Sequence, residues 1–368
     1  MRQASHPKII LLSLFVLFLH SLGVSAQKKS FAEISLAKCW SYSLGNRQGE
    51  QIMSDGNLVF IGSHGANIEA LSLDGKKVWF SEFGGGMRSN LLASDNGIFL
   101  VTSTSSGDAI KAGDSKLRLL SKETGIMNWS LPLPDAERHF LESYDGSVIV
   151  VSSSGPIQSI DSRNGTVKWR REIADGFVTK PIFTATNLIA AATGNRIFIL
   201  SMATGEIEKM RQVGFSVTAL GVAAIDRLIV GDERGNVYFF NGGEKSARPF
   251  KAGGKISDVI ARGDEILVAS HDNYVYLLRN RNGSRQWKIR LASRASHVAI
   301  YADSYVVVST SFYEHRAILV ELKSGRVAVQ ILFDEDETAI DIRSYAGTLY
   351  VLTNLALHAY RLNDCSNK

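Results

Sequence analysis

Short apolar segments alternate with polar turns along most of the chain, and the pattern returns about every 40 residues. Each repeat has an apolar strand, a turn, a second strand with alternating apolar positions, a glycine turn and, in most repeats, a tryptophan. Val, Ile, Tyr and Phe dominate the segments, and Gly, Asn and Asp separate them, which is the composition of strands joined by tight turns. This period, with several strands per repeat, predicts a β-propeller.

The first two strands of the repeat recur along the whole chain. The first strand begins near Leu58, Ile98, Ser147, Leu188, Leu228, Ile266, Val306 and Leu349. The second strand lies at residues 68–71, 117–120, 157–160, 197–200, 237–240, 275–278, 318–322 and 357–360. A fourth strand follows the tryptophan, as at residues 89–92, 180–183 and 297–300. Every repeat therefore supplies the strands of one propeller blade.

The third strand begins with a tryptophan four residues after the turn glycine. The pairs are Gly75/Trp79, Gly125/Trp129, Gly165/Trp169 and Gly283/Trp287. Lys209 and Val329 replace the tryptophan in two repeats that keep the glycine, and the repeat around residues 241–243 is the most degenerate.

The two ends of the chain complement each other. The last repeat stops after its second strand, at Leu362, whereas residues 38–44 supply a strand with Trp40 and no strands before it, followed by a strand near residues 51–54. We therefore predict an all-β, eight-bladed propeller of four-stranded antiparallel blades, closed by N- and C-terminal strands in one composite blade. The propeller spans residues 38–362, after a signal segment at 1–26 and a short linker at 27–37, and before a tail at 363–368.

The tryptophans admit two interpretations. A large indole at a fixed place in each blade fills the gap between neighbouring sheets and donates its N–H to a local carbonyl. The alternative is an aromatic platform for a ligand. We favour the packing role for the whole set, which comprises Trp40, Trp79, Trp129, Trp169 and Trp287.

The repeat resembles the pyrroloquinoline-quinone-like propeller repeats, in which an alternating strand precedes the motif T/N-G-x-x-x-W. Residues 122–129, Lys-Glu-Thr-Gly-Ile-Met-Asn-Trp, match it best, and residues 163–169 match it next best. That family includes quinoprotein dehydrogenases. It also includes the non-enzymatic propeller of the bacterial outer-membrane protein assembly machinery, the BamB type, to which this chain is similar in size and blade count. The resemblance thus implies either a protein-binding scaffold or a quinone-dependent oxidoreductase.

The N-terminus has the features of a secretory signal. Arg2 and Lys8 form a basic region, residues 9–19 are a short apolar run, and residues 24–26, Val-Ser-Ala, fit a cleavage site that ends at Ala26. An uncleaved anchor helix is the alternative. We expect an exported, periplasmic or secreted protein with no transmembrane segment in the mature chain. The BamB type is typically a lipoprotein, whereas the first cysteine here, Cys39, lies well beyond the apolar run, so a lipid anchor is not expected.

Net charge gives no argument for nucleic acid. Removal of residues 1–26 takes away Arg2 and Lys8 and no acidic residue, so the formal net charge falls from +5 to +3.

Three N-x-S/T triplets, at Asn128, Asn164 and Asn282, lie on blade turns and are interpreted as turn chemistry unless the source is eukaryotic. The acidic run at residues 334–337 is interpreted as a solvated loop tip, with a cation site as the weaker alternative.

The two cysteines both fall in the composite blade. Cys39 lies on the N-terminal strand and Cys365 follows the last strand, and an even number of cysteines in an exported protein favours a disulfide. We expect a Cys39–Cys365 bond that fixes the ring closure. The alternative is two unrelated thiols.

The motifs of enzymes are missing from the sequence. It contains no HExxH, P-loop, GxSxG or CxxC motif and no adjacent cysteines, and its one notable insertion, at residues 104–116, is rich in Ser, Gly and Asp. The quinoproteins of the family carry a calcium site of acidic and amide side chains, often adjacent cysteines, and long inter-blade excursions. We therefore expect no catalytic residue, no cofactor and no metal site.

One constellation remains, at the starts of the innermost strands. Basic side chains there would form a rim around the channel that holds an anionic ligand or an acidic peptide, or they would be separate solvated loop charges. The candidates are Arg88, His139, Lys180, Lys255 and His297, with Glu50, Arg138 and Arg294 nearby. His64, His271 and His315 are expected to be surface residues. The overall expectation is a monomeric scaffold that binds protein partners in the cell envelope.

Overall fold

The computed structural model describes residues 34–104, 114–192, 195–224, 227–241, 244–245, 248–310 and 315–366. The expected signal segment with Ala26, most of the linker and most of the insertion at 104–116 lie outside these ranges. Within them, no helix has the length and apolar character needed to cross a membrane.

The described chain forms antiparallel strands grouped in eight sheets. In chain order the first half comprises β1 (Leu36–Ser43), β2 (Gly49–Ser54), β3 (Leu58–Ser63), β4 (Asn67–Ser72), β5 (Lys77–Glu82), β6 (Gly86–Met87), β7 (Leu92–Ser94), β8 (Gly97–Ser103), β9 (Ser115–Leu120), β10 (Met127–Pro132), β11 (His139–Tyr144), β12 (Ser147–Ser152), β13 (Pro156–Asp161), β14 (Val167–Glu172), β15 (Ile182–Phe183), β16 (Asn187–Ala192), β17 (Arg196–Ser201) and β18 (Ile207–Gln212). The second half comprises β19 (Val217–Ala224), β20 (Arg227–Asp232), β21 (Asn236–Asn241), β22 (Glu244–Lys245), β23 (Phe250–Lys251), β24 (Ile256–Arg262), β25 (Glu265–Ser270), β26 (Tyr274–Arg279), β27 (Arg285–Arg290), β28 (Ala295–Tyr301), β29 (Tyr305–Thr310), β30 (Arg316–Glu321), β31 (Val327–Leu332), β32 (Ala339–Tyr345), β33 (Thr348–Thr353) and β34 (Ala356–Leu362).

Each sheet is one blade of the predicted eight-bladed propeller. Blades 1 to 7 consist of β2–β5, β6–β10, β11–β14, β15–β18, β19–β23, β24–β27 and β28–β31, and blade 8 has the order β32-β33-β34-β1. This confirms the composite blade, because β1 from the N-terminal side pairs with β34 from the C-terminal side. The fourth strand of each sequence repeat is the inner strand of the next blade, so β2 opens blade 1. The strand predicted at residues 89–92 is wrong in detail, since β6 and β7 flank residues 88–91.

A β-bulge recurs on the outer strand, directly before the position of the repeated tryptophan. In β5 the extra residue is Val78, and in β10 it is Asn128. The other bulged residues are Cys39, Lys168, Glu208, Gln286 and Ala328. Because a bulge puts two residues opposite one, it shifts the alternation of the strand by one residue and re-aims the side chain that follows.

The re-aimed indole packs on the turn glycine of the next blade. A Cβ placed on Gly75 would lie 2.7 Å from the Trp40 ring, and one on Gly205 would lie 2.5 Å from the Trp169 ring. The same relation joins Trp79 to Gly125, Trp129 to Gly165 and Trp287 to Gly325. Four of these indoles also donate Nε1–H to a carbonyl of the next blade, those of Leu73, Lys122, Met202 and Leu322.

This relation explains where the tryptophan is replaced. Val329 of blade 7 faces blade 8, where the two chain ends take the place of the turn between the outer strands. Lys209 of blade 4 faces the degenerate blade 5, whose outer strand is reduced to the two-residue strands β22 and β23. In blade 5 itself, the ring of Phe239 takes over the contact, with Gly283 of blade 6.

The reduced outer strand of blade 5 is accompanied by a close approach of β19 and β20 of this blade to the inner strand β24 of blade 6. A Cβ on Gly221 of β19 would lie 2.6 Å from Val259 Cγ1 of β24, and one on Gly231 would lie 2.5 Å from Ile256 Cγ2. Thr218 Oγ1 donates to the Ile256 carbonyl at 2.7 Å. The hydrophobic core of this region accordingly extends from β19 across β24 to β26.

The ring closure is held by side-chain chemistry. Cys39 and Cys365 form a disulfide, with their Cα atoms 5.3 Å apart. Behind it, Ser41 Oγ lies 2.9 Å from His358 Nδ1, and His358 Nε2 lies 3.2 Å from the Glu337 carboxylate. Glu337 is buried, so the interpretation of residues 334–337 as a solvated tip is wrong for this residue; Asp334, Glu335 and Asp336 are exposed.

Candidate functional site

The inner strands of six blades surround a central cavity of about 500 Å³. Its wall takes Glu142 from β11, residues 179–183 from blade 4, 218–222 from β19, 257–261 from β24, Val298 from β28 and Arg343 from β32. Blades 3 to 8 all contribute, so the cavity lies where the inner strands converge.

Four charged side chains line the cavity, two of each sign: Glu142, Lys180, Asp258 and Arg343. Arg343 is held by its neighbour, since its Nε lies 3.0 Å from Asp341 Oδ1. Among the described residues, the Lys180 ammonium has neither a hydrogen bond nor an ion pair. Side chains of Ile182, Phe183, Leu220, Val222 and Ile260 add apolar surface to the wall.

The two carboxylates use little of their hydrogen-bonding capacity. Glu142 Oε1 accepts from the Ser143 N–H at 3.1 Å, and Asp258 Oδ1 accepts from the Val259 N–H at 2.8 Å. Both contacts are made to the backbone of the following residue. Each carboxylate therefore keeps most of its acceptor positions free toward the cavity.

Partial desolvation by the cavity wall shifts the titration of these groups toward their neutral forms, although the side chains of Lys180 and Asp258 remain solvent-exposed. It raises the pKa of Glu142 and of Asp258, and in both cases the charge of Lys180 opposes the shift. It lowers the pKa of Lys180, and the charge of Arg343 adds to this. The surrounding protein thus removes part of the water that would stabilise each charge.

The structure places the five rim candidates in different surroundings rather than in one common site. Lys180 lies in the cavity wall. Arg88 donates from Nε to Ser103 Oγ at 2.9 Å, and its charge acts on Glu50, which pairs with His64 at 3.6 Å. Lys255 is exposed and acts on His271 together with Arg294.

The two rim histidines lie against serines. His139 is fully buried; its Nδ1 lies 2.9 Å from Ser152 Oγ, and its Nε2 has no partner in the described structure. Burial lowers the pKa of His139 to about 4. His297 Nδ1 lies 3.4 Å from Ser309 Oγ and 3.3 Å from Ser296 Oγ, and burial lowers its pKa as well.

Sequence reasoning missed three of the four charges in the cavity, Glu142, Asp258 and Arg343. Five inner strands carry a bulge at or just after their first residue, as at Ser257 between Ile256 and Asp258. The others are at Glu50, Thr218, Ser296 and Ile340. Alternation counted from the strand start therefore gives the wrong face for Asp258 and Arg343, whereas β11, which carries Glu142, has no bulge. In the described ranges, no group of three or more His, Cys, Asp or Glu side chains is arranged as a metal site.

Comparison with known proteins identifies the family. The family model described as outer membrane protein assembly factor BamB matches residues 31–331. The chain belongs to this family. A curated BamB relative, the outer membrane protein assembly factor BamB of Yersinia pestis, is 23% identical in an alignment 362 positions long, which covers 87% of this chain and 90% of the relative.

Solved structures share the propeller fold with this BamB-family chain. BamB from Moraxella catarrhalis superposes with a TM-score of 0.71 at 16% identity, covering 91% of this chain and all of that one. The computationally designed protein Ika8 gives 0.69 at 13% identity, with 86% of this chain and 96% of that chain covered. The C-terminal WD40 domain of Sif2 also gives 0.69 at 13% identity, with coverages of 90% and 99%. At these identities the likeness establishes the fold alone.

Proposed function

We propose that this chain is an exported, non-enzymatic scaffold that binds protein partners in the cell envelope, in the assembly of outer-membrane proteins. The observation that carries the proposal is the match of the BamB family model across residues 31–331. The mature chain begins after Ala26 and acts as a monomeric propeller in the periplasm. Its partners are proteins rather than nucleic acid.

The outer edge of three neighbouring blades offers a docking surface. Met127, Val167 and Ile207 each stand two residues after a turn glycine, at the start of β10, β14 and β18, and are 42%, 44% and 42% exposed. We call these three residues the outer apolar band. Ile126 and Met210 extend it with exposures of 66% and 53%.

The surroundings of the band fit a protein contact rather than further core. Charged side chains follow it on the same strands, including Lys168, Arg170 and Glu208, all of them exposed. An apolar centre with a polar rim is the usual composition of a protein interface. The partner docks on this band, and the free edges of β10, β14 and β18 allow it to extend the contact by strand addition.

The test is an affinity pull-down of the exported protein after mild crosslinking, read by mass spectrometry. The triple variant Met127→Glu/Val167→Glu/Ile207→Glu should lose the partner that the wild type retains. Val327→Glu is the matched control, because Val327 occupies the same position in blade 7 and is 44% exposed, as Val167 is. Recovery of outer-membrane assembly proteins with wild type and control, but not with the triple variant, supports the proposal. A protein without such partners contradicts it, and the alternative quinone- or metal-dependent oxidoreductase would then be tested by quinone and metal titration.

A further inference from the structure

We propose that the central cavity is a binding site for a short zwitterionic peptide, of two or three residues, with apolar side chains and both termini free. This goes beyond the scaffold function, which concerns the outer apolar band. It also differs from the simple anion site that basic residues at the channel mouth would form.

The free ammonium of Lys180 is the first element of the site. Its side chain is solvent-accessible, lines the cavity and makes no ion pair with Glu142 or Asp258, although their charges act on one another. Arg343 lies on the same wall with its Nε taken by Asp341, which leaves its terminal nitrogens to a ligand. Such cations bind a carboxylate, as at the C-terminus of a peptide, through charge-assisted hydrogen bonds.

The carboxylates of Glu142 and Asp258 are the second element. Each accepts one backbone hydrogen bond and faces the same cavity as Lys180. A simple anion would meet these two negative charges, and a simple cation would meet Lys180 and Arg343. A ligand that carries one charge of each sign satisfies both groups, as a peptide with free termini does.

The volume of the cavity and the apolar residues of its wall favour a short peptide over a single polar metabolite. The cavity of about 500 Å³ lies within the range of small-molecule sites, about 300–1,000 Å³. Ile182, Leu220 and Ile260 present apolar surface for side chains.

The first test is calorimetric titration of the full mature chain with a dipeptide of two leucines. The free dipeptide should bind, and N-acetylation or C-terminal amidation should each weaken binding about tenfold, since each removes one charge-assisted contact. No heat of binding at millimolar dipeptide would overturn the proposal. So would equal binding of the capped and free peptides, which would indicate an apolar pocket without charge recognition.

The second test assigns the binding to the cavity. Lys180→Gln and Asp258→Asn should each weaken dipeptide binding about tenfold, whereas Lys180→Arg should retain it. Lys255→Gln is the matched control, because Lys255 also precedes an inner strand and is exposed but lies outside the cavity wall. Binding that is insensitive to Lys180→Gln, or that falls equally in the control, would overturn the assignment. Thermal unfolding of each variant excludes a general loss of structure.

Discussion

The ring closure at blade 8 and the seam between blades 5 and 6 solve the same packing problem by different means. At blade 8 the sheet joins the two ends of the chain, and a disulfide, a buried carboxylate and a buried imidazole lie around the junction. Between blades 5 and 6 the chain is continuous and the outer strand of blade 5 is fragmentary. There, Gly221 of β19 and Gly231 of β20 let the inner strand β24 of blade 6 approach blade 5 closely.

The difference shows that the stabilisation that a junction between two blades requires depends on how the chain connects them. Where a turn joins neighbouring strands, the loss of conformational entropy on pairing is small, and close packing is sufficient. Where strands from opposite ends must meet, hundreds of intervening residues have to be ordered first. Strong, specific contacts then stabilise the closed ring. We expect their removal to lower the unfolding free energy more than any change at the junction between blades 5 and 6.

The largest effect is expected from the double variant Cys39→Ser/Cys365→Ser. The bond links residues separated by 326 positions, and in the chain-entropy model its loss costs on the order of 5 kcal/mol of unfolding free energy. Urea unfolding, monitored by tryptophan fluorescence, measures this loss. Reduction of the wild type should reproduce it, and an unchanged midpoint in both samples would mean that the sheet pairing of β1 with β34 is sufficient for closure.

Arg47→Met should have the next largest effect. Glu69 is fully buried, accepts from Tyr42 Oη at 2.5 Å and pairs with Arg47 Nη2 at 3.0 Å, so these three residues join blades 8 and 1. Loss of Arg47 leaves a buried carboxylate uncompensated and should cost about 3 kcal/mol in urea unfolding. The double variant Arg47→Met/Glu69→Gln should regain part of that loss. The Arg47 guanidinium also lies over the Phe80 ring, 5.0 Å from its centroid, and no recovery would show that Arg47 acts through this packing instead.

Gly221→Ala tests the continuous seam and should cost about 1–3 kcal/mol, because the new Cβ would lie 2.6 Å from Val259 Cγ1. Gly214→Ala is the control. It stands just before the same inner strand, with nothing within 4 Å of its Cβ position, and should leave the melting temperature nearly unchanged. If both substitutions lowered the melting temperature equally, the close approach of β19 and β24 would not be a stabilising contact.

The smallest effect concerns the pH dependence of the ring closure. Burial lowers the pKa of His358, and nearby Lys38 adds to this, whereas Glu337 opposes it. Below the unfolded-state pKa of about 6.5, the unfolded chain therefore binds a proton that the folded chain does not. The stability should be full above that pH and should fall as the pH decreases. His358→Gln should give a shallower decline in thermal unfolding between neutral and mildly acidic pH than the wild type, and parallel curves would exclude a contribution from His358.

The sequence predicted the blades because they depend on a repeated pattern. Strand starts such as Leu58 and Ser147 coincide with the observed starts, and Val306 lies one residue inside β29. Apolar alternation and turn glycines are local signals, and eight repeats of each reinforce one another. The pairing of the chain ends followed from the incomplete first and last repeats, which together leave one blade to be completed.

The cavity could not be predicted to the same degree, because its charges depend on details that the pattern does not encode. Lys180 and Lys255 both precede inner strands, yet Lys180 alone of the two lines the cavity. The bulge at Ser257 gives Asp258, rather than Ser257, the pairing position opposite Ala269. Three acidic residues precede Glu337, so the sequence predicts a solvated run, whereas its burial depends on contacts with Thr353 and His358 from later strands.

The disulfide also determines how the protein responds to mechanical tension. Cys39 and Cys365 bracket almost the whole strand array, and their Cα atoms are 5.3 Å apart. A pull applied to residues before Cys39 and after Cys365 is therefore transmitted through a covalent bond and bypasses the blades. A load applied at the outer apolar band, in contrast, acts on the β-strands themselves. In the oxidised protein a pull on the termini can therefore peel only the pairs of residues 36–38 with residues 360–362, which precede Cys39, and reduction would expose the remaining hydrogen bonds between β1 and β34 to unzipping.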